Sequence, residues 1–233
     1  MVFATADLCK NLRHLEIYTR PGDVGCLNYA VGPVADDIEN LVLRLTPETT
    51  NYDFETSYSS IDLISCECDM CRHPEYPYLK HLTVDDWLLF RDAEQMRKVG
   101  LWRRLPESLE SLVLVERWRP PPPSHSSSLP GGPEAQNKSA EDHLFDVTVA
   151  LRDLAWECLG FLPQLRRLVF DRTPERAKWE RTSADEDFKQ QYPGIRSDFA
   201  EVGIEFRVLY SAAKAQSFYA ASSELPLAGG GEA

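Results

Sequence analysis

The sequence predicts an α/β fold, a short irregular solenoid with a parallel sheet on its concave face and helices on its convex face. Three observations support this prediction. The pattern L-x-x-L-x-apolar recurs along the chain, prolines precede several copies, and a strongly amphipathic helix is predicted between two of them. Recurrence of one supersecondary unit is typical of solenoids, in which each repeat packs on its neighbours.

Four copies of the pattern are strict, and a fifth has Ile in the first position. The chain has 28 Leu among 233 residues. If the residues were placed at random, roughly one strict copy of the pattern would be expected. Pro77, Pro106 and Pro163 precede three copies, and because proline cannot continue a helix, they indicate helix-to-strand junctions. An alternative interpretation is a set of amphipathic helices in which L-x-x-L is ordinary i, i+3 spacing. The copies are Leu12–Ile17, Ile38–Leu43, Leu79–Val84, Leu109–Leu114 and Leu165–Phe170.

The first repeat strand begins by residue 12. Residues 21–35 contain three Gly and two Pro, which predicts a loop. A strand is predicted at about 38–45, and residues 61–66 are predicted as a further short strand. The next strand is predicted at 79–84.

The middle of the chain continues this alternation of strand and helix. Asp85 and Asp86 indicate the start of a helix over about 86–100, because acidic residues cap a helix N-terminus and interact favourably with its dipole. A strand is predicted at 109–115. The low-complexity, Pro-, Ser- and Gly-rich stretch at about 119–140 predicts a disordered insertion.

Residues 141–160 carry the clearest helical pattern. Acidic residues lie near the start of this segment, as is typical of a helix N-terminus. Its apolar positions follow a 3.6-residue period and define the face expected to be buried. These positions are Leu144, Val147, Leu151, Leu154, Cys158 and Leu159.

The remainder of the chain completes the predicted domain. Residues 174–191 are charged and predict a helix, and Gly194–Val202 predicts a last short helix. Gly203–Tyr210 alternates like a final strand. Residues 1–210 are therefore predicted to form one domain, followed by a disordered tail at 211–233 that is rich in Ala and Ser.

Composition excludes several classes of function. The formal net charge is -12 and the isoelectric point is about 4.9, which argues against nucleic acid as a partner, because nucleic-acid-binding surfaces are basic. The negative net charge also disfavours an anionic membrane surface as a partner. No apolar run approaches the ~20 residues needed to span a bilayer. With no secretory signal visible at its N-terminus, the chain is expected to be intracellular, in the cytoplasm or nucleus, with reduced cysteines.

The repeats resemble those of leucine-rich-repeat proteins, especially the irregular repeats of fungal F-box-type proteins. Leu105–Leu114 and Leu162–Phe170 carry the resemblance, and a short helix followed by a strand, as in Phe199–Tyr210, commonly closes such arrays. The resemblance covers residues 8–210. It implies a leucine-rich-repeat solenoid that binds a protein, as the substrate-recognition part of a ubiquitin-ligase adaptor.

The chain departs from this family in two respects. No F-box precedes the repeats, so either the N-terminal repeat is expected to be exposed or upstream sequence is missing. The second departure is the loss of the Asn or Cys that the family places three residues after the last apolar position of each repeat. The residues at these positions are Arg20, Thr46, Trp87, Arg117 and Thr173.

Period-2 alternation sends the residues between the repeat leucines to the opposite face of each strand. In a stacked parallel sheet these residues align in rows, and an apolar row with a polar rim is typical of a protein-binding surface. The alternative is that Val simply suits a strand. The predicted partner-binding residues are His14, Glu16, Tyr18, Val42, Arg44, His81, Thr83, Asp85, Val113, Val115, Arg167, Val169 and Asp171.

A cysteine-rich stretch offers a candidate zinc site. Cys66, Cys68, Cys71 and His73 supply the thiolate and imidazole ligands that tetrahedral zinc prefers. The close one-residue steps favour a loop with free thiols instead, so no cofactor is expected and zinc is the alternative. A zinc-stabilised scaffold is accordingly the second candidate function. Cys9, Cys26 and Cys158 are expected to be small buried residues.

Motifs typical of enzymes are absent from the sequence, including the P-loop, G-x-G-x-x-G, H-E-x-x-H and G-x-S-x-G. The acidic pair Asp85-Asp86 and the cluster Asp185–Asp187 could serve acid–base chemistry. A helix cap and a solvated helix face explain them more simply. The predicted function is therefore a non-enzymatic protein-binding module, with an α/β hydrolase-like enzyme as the third candidate.

Overall fold

A computed structural model describes residues 12–19, 31–46, 76–90, 93–116, 140–172, 183–210 and 216–218. Six parallel strands form one sheet, and each strand lies beside its sequence neighbours. The predicted α/β class with a parallel sheet is therefore confirmed. The strands are β1 (His14–Thr19), β2 (Asn40–Leu45), β3 (His81–Asp85), β4 (Ser111–Val115), β5 (Arg167–Asp171) and β6 (Glu205–Leu209).

The repeat leucines set the register of the sheet. Each L-x-x-L-x-apolar copy contributes a strand, and equivalent positions of neighbouring copies are paired. Leu41, Leu82, Leu112 and Leu168 form one continuous row and are almost fully buried. A shift of one residue would turn every such side chain to the opposite face, so this burial specifies the register strongly. Leu15, the equivalent residue of β1, is only partly buried.

Within the described ranges, four α-helices cover the leucine face of the sheet. Side chains from these helices and from the strand leucines form the main hydrophobic core. The long helix α3 packs between α2 and α4. The helices are α1 (Asp86–Leu89), α2 (Ala93–Val99), α3 (Ala140–Phe161) and α4 (Ser183–Glu201), and 3-10 helices span Gly32–Asp37 and Leu101–Arg104.

Helix α3 confirms the helix predicted at 141–160. Leu144, Val147, Leu151, Leu154 and Cys158 are buried as expected. Leu159 is the exception: its side chain is 66% exposed, on the outward side that also carries Phe145 and Trp156. Residue 159 follows Cys158 by 100° around the helix axis, which takes it out of the buried stripe.

The prediction of one continuous helix at 86–100 is wrong. It is divided into α1 and α2, with Phe90 in extended conformation between them at φ -139° and ψ 144°. The Phe90 side chain is 1% exposed. Burial of this aromatic ring in the core fixes the backbone where the local pattern favours a helix, since tertiary packing routinely overrides helix propensity.

Residues 183–191 of the helix predicted at 174–191 are continuous with the helix predicted at Gly194–Val202. Together they form the single helix α4, which contains Pro193, and residues 174–182 lie outside the described residues. Proline inside a helix removes one hydrogen bond and costs about 3 kcal/mol. Phe188, Ile195 and Phe199 recur on one face of α4 and are all buried. Their packing on both sides of Pro193 offsets this cost, whereas the sequence alone suggested a break.

Several predicted features lie outside the described residues. They include the strand at 61–66, the loop at 21–30 and most of the insertion at 119–140, of which only Ala140, the first residue of α3, is described. Within the predicted tail, residues 216–218 form one helical turn. No described helix is both long enough and apolar enough to cross a membrane.

Two leucines of α3 allow a matched test of this packing. Leu154 is fully buried and Leu159 is 66% exposed. We expect Leu154→Ala to lower the free energy of unfolding by about 2–5 kcal/mol, because it opens a cavity in the core. We expect Leu159→Ala to change it by less than about 0.5 kcal/mol. Urea denaturation of both variants measures the difference, and equal losses would contradict the assigned orientation of α3.

Candidate functional site

The face of the sheet opposite α1–α4 carries the candidate site, and we call it the groove face. The predicted rows are confirmed by the strand register, and β6 extends each of them. Residues of all six strands line a groove of about 920 Å³ on this face. Parallel sheets normally have both faces covered, so a groove along one face is a notable departure.

The first row of the groove face is polar throughout. Its side chains are exposed or half-buried, and all of them line the groove. This row therefore offers hydrogen-bonding groups of both charges along the full width of the sheet. Its members are His14, Asn40, His81, Ser111, Arg167 and Glu205.

The predicted partner-binding residues divide between an open and a covered part of the groove face. The residues of β1–β3, apart from Asp85, are exposed or half-buried, as is Arg167. The other five were expected at the surface and are buried. The accessible residues are His14, Glu16, Tyr18, Val42, Arg44, His81, Thr83 and Arg167, and the buried ones are Asp85, Val113, Val115, Val169 and Asp171.

The three buried valines belong to a second hydrophobic cluster, separate from the main core. Val113, Val115 and Val169 pack with Leu209, and Phe218 packs against them. Phe218 also lines the groove. The sequence did not reveal this contact, because a single aromatic residue in an Ala- and Ser-rich segment has no periodicity to analyse. The only signal was the pair Phe218-Tyr219 in an otherwise small-residue stretch.

Asp85 links two strands and does not cap α1. Its Oδ1 accepts a hydrogen bond from Arg44 Nε at 2.7 Å, and its Oδ2 accepts one from the Leu45 backbone N–H at 2.6 Å. No side-chain hydrogen bond caps α1. The expected role of Asp85 in helix capping is therefore wrong, because the end of β2 offers this buried carboxylate stronger, charge-assisted partners.

A buried ion pair lies immediately beyond the ends of β4 and β5. Arg172 Nε donates to Glu116 Oε2 at 2.9 Å, and both side chains are at most 2% exposed. The Arg172 guanidinium also lies 4.6 Å from the ring centroid of Phe188 on α4. The pair was not predicted, although pairing of Val115 with Asp171 places the next two residues side by side.

Two carboxylates that line the groove, Glu16 and Glu205, accept hydrogen bonds from neighbouring side chains. Glu205 accepts hydrogen bonds from Arg167 and Arg207. Partial burial raises the pKa of Glu205, but these two guanidinium groups outweigh that effect, so its pKa lies below its ordinary value. Tyr18 donates a hydrogen bond to Glu16 at 2.7 Å, which raises the pKa of the Tyr18 hydroxyl.

The proposed zinc ligands Cys66, Cys68, Cys71 and His73 all lie outside the described residues. Within the described ranges, no group of three or more His, Cys, Asp or Glu side chains is arranged to hold a metal ion. Cys158 is buried, as expected for a small apolar residue. Burial raises the pKa of its thiol, which disfavours the reactive thiolate.

Fold and site together define a class of protein: a parallel α/β sheet with helices on one face and, on the other, a groove that crosses all six strands. Comparison with protein-family models, with curated proteins and with solved structures found no match to this chain. The geometry of the groove therefore carries the functional argument.

Two cross-strand Arg–carboxylate pairs on the groove face allow a matched test of burial. Asp85 pairs with Arg44 and is fully buried, whereas Glu205 pairs with Arg167 and both are well exposed. We expect Asp85→Ala to cost on the order of 3 kcal/mol of unfolding free energy, because Arg44 and the Leu45 N–H lose a buried acceptor. We expect Glu205→Ala to cost at most about 1 kcal/mol. Chemical denaturation that ranks the two variants in the opposite order would contradict this account of Asp85.

His81 provides a test of pH dependence. Burial in the groove lowers its pKa below the ordinary value of 6.5. As pH falls below that value, the unfolded imidazole takes up a proton before the folded one does, so stability is lost with acidification. We expect His81→Gln to reduce the loss of stability between pH 7 and pH 5. An NMR titration of the His81 ring protons provides the direct measurement, and a midpoint at or above 6.5 would contradict its burial.

Proposed function

We propose that this chain is a non-enzymatic protein-binding module and that the groove face holds a segment of its partner. The observation that carries the proposal is the groove itself, which crosses all six strands of a sheet whose other face is fully used by the core. Its lining residues come from all six strands, which stand about 4.8 Å apart, so the groove is long enough for an extended polypeptide segment.

The arrangement of the strands supports a short, irregular leucine-rich-repeat solenoid. Their spatial order follows the sequence order in one constant register. A doubly wound sheet would instead reverse its strand order at a switch point. Stacking of one repeated unit produces the observed order, and solenoids of this kind commonly use their extended sheet surface for binding.

The chemistry of the groove favours protein over nucleic acid. Three arginines line it, and so do three glutamates: Arg44, Arg166 and Arg167, with Glu16, Glu110 and Glu205. A polyanion would be repelled by these carboxylates and by the net charge of -12. A protein segment with side chains of both charges matches the mixed lining, and Tyr18 and Val42 add apolar surface near β1 and β2.

The non-enzymatic role is supported by hydrogen bonds that engage two of the carboxylates lining the groove. Glu16 accepts from Tyr18, and Glu205 accepts from Arg167. Charges paired in this way favour positioning of a partner over acid–base chemistry. A role as the substrate-recognition part of a ubiquitin-ligase adaptor rests on the family resemblance alone, which is a weak warrant for function.

Site-specific crosslinking tests this function. A photo-reactive amino acid replaces Thr83 in the groove of the full chain, and the control chain carries it at Glu201, which is exposed on α4. We expect a distinct protein to crosslink from position 83 and not from position 201. Equal labelling from the two positions would argue against the groove as the binding surface.

The partner identified in this way is then purified for affinity measurements. We expect Val42→Glu to weaken its binding by at least about tenfold, the loss expected on placing a charge at the centre of an interface. The matched control, Glu201→Gln, should leave the affinity unchanged. Val113 and Val169 are unsuitable for this test because they are buried. An unaltered affinity for the Val42 variant would contradict the proposed function.

A further inference from the structure

The covered end of the groove face has an unusual composition. Val113, Val169 and Leu209 lie on three adjacent strands and point away from the helices. They form an apolar patch beside the polar first row of the groove, and Val113 also lines the groove. None of α1–α4 covers this patch, and the described side chain that packs against it is Phe218.

Phe218 is itself only partly buried, and it belongs to a single helical turn at residues 216–218. It therefore contacts the patch without being enclosed by the main core. Because the second cluster is separate from the main core, Phe218 can leave its position without unpacking the leucine rows.

We propose that the patch formed by Val113, Val169 and Leu209 is a binding subsite for an aromatic side chain, and that Phe218 is its intramolecular occupant. The inference rests on the proposed function of the groove as a site for a protein segment. The partner segment inserts an aromatic residue between β4 and β6 and displaces Phe218, while the polar first row holds its flanking residues.

The shape and chemistry of the patch favour an aromatic ligand. Val side chains on neighbouring strands present a flat, dry surface, and an aromatic ring covers such a surface at little cost in conformational entropy. Phe218 demonstrates that a phenyl ring fits. An intramolecular occupant competes at a high effective concentration, so the subsite accepts only a segment that also gains contacts along the groove.

The test uses the full chain and a synthetic peptide with the sequence of residues 214–223, Lys-Ala-Gln-Ser-Phe-Tyr-Ala-Ala-Ser-Ser. Fluorescence anisotropy measures binding of the labelled peptide to the wild-type chain and to Phe218→Ala. We expect the variant to bind at least about fivefold more tightly, because its subsite is vacant. A control peptide with Ala in place of its Phe should bind neither chain.

A second measurement follows Phe218 directly, with a fluorinated phenylalanine at this position. The ¹⁹F resonance of the full chain should move towards its solvent-exposed frequency as unlabelled peptide is added, and the control peptide should leave it unchanged. Equal peptide affinity of the wild type and Phe218→Ala would overturn the proposal. So would loss of cooperative unfolding in Phe218→Ala together with an unmoved ¹⁹F signal, which would make Phe218 a structural residue.

These outcomes are distinguishable from failure of the proposed function. Peptide binding by Phe218→Ala, without specific crosslinking from position 83, supports the subsite and rejects the groove as the partner site. A partner whose affinity falls with Val42→Glu, combined with equal peptide binding by both chains, supports the groove and overturns the aromatic subsite.

Discussion

The continuous row of buried leucines controls the geometry of the whole described chain. Leu41, Leu82, Leu112 and Leu168 pair in register beneath the helices. Strand side chains alternate with a period of two, so fixing the leucine row also fixes every position on the opposite face. The alignment of His14 to Glu205 and of Glu16 to Arg207 is thus a consequence of the packing of leucine side chains in the core.

The same register places buried charges where two strands end. Pairing of Val115 with Asp171 brings Glu116 beside Arg172. A buried ion pair contributes little net stability, because desolvation of both charges offsets their attraction. A shift in strand register would nonetheless be costly, because it would leave one charge of the pair buried without its partner. Arg172 also contacts Phe188 on α4, so one side chain relates the strand register to the position of a helix.

The sequence was sufficient to predict the strands and helices where a periodic pattern and burial agree. The repeat strands, their rows and α3 follow from spacing alone, because a two- or 3.6-residue period maps directly onto one buried face. It was insufficient where tertiary contacts override local preference. Pro193 lies inside α4 because the flanking aromatic residues are buried, and Phe90 interrupts a helical pattern to reach the core. Asp85 resembles a helix cap until Arg44 is found beside it, and Phe218 belongs to no pattern.

The groove face changes character across the sheet, and this gradient suggests how a partner would engage it. The second row begins with Glu16, Val42 and Thr83, which are accessible, and continues with Val113 and Val169, which are covered. Exposed charges act over longer distances than apolar contacts do and mainly accelerate encounter. A partner segment would therefore meet the charged first row, which spans β1–β6, before it reaches the covered valines. Displacement of Phe218 would follow, so that a segment lacking an aromatic residue is held only by the weaker polar contacts.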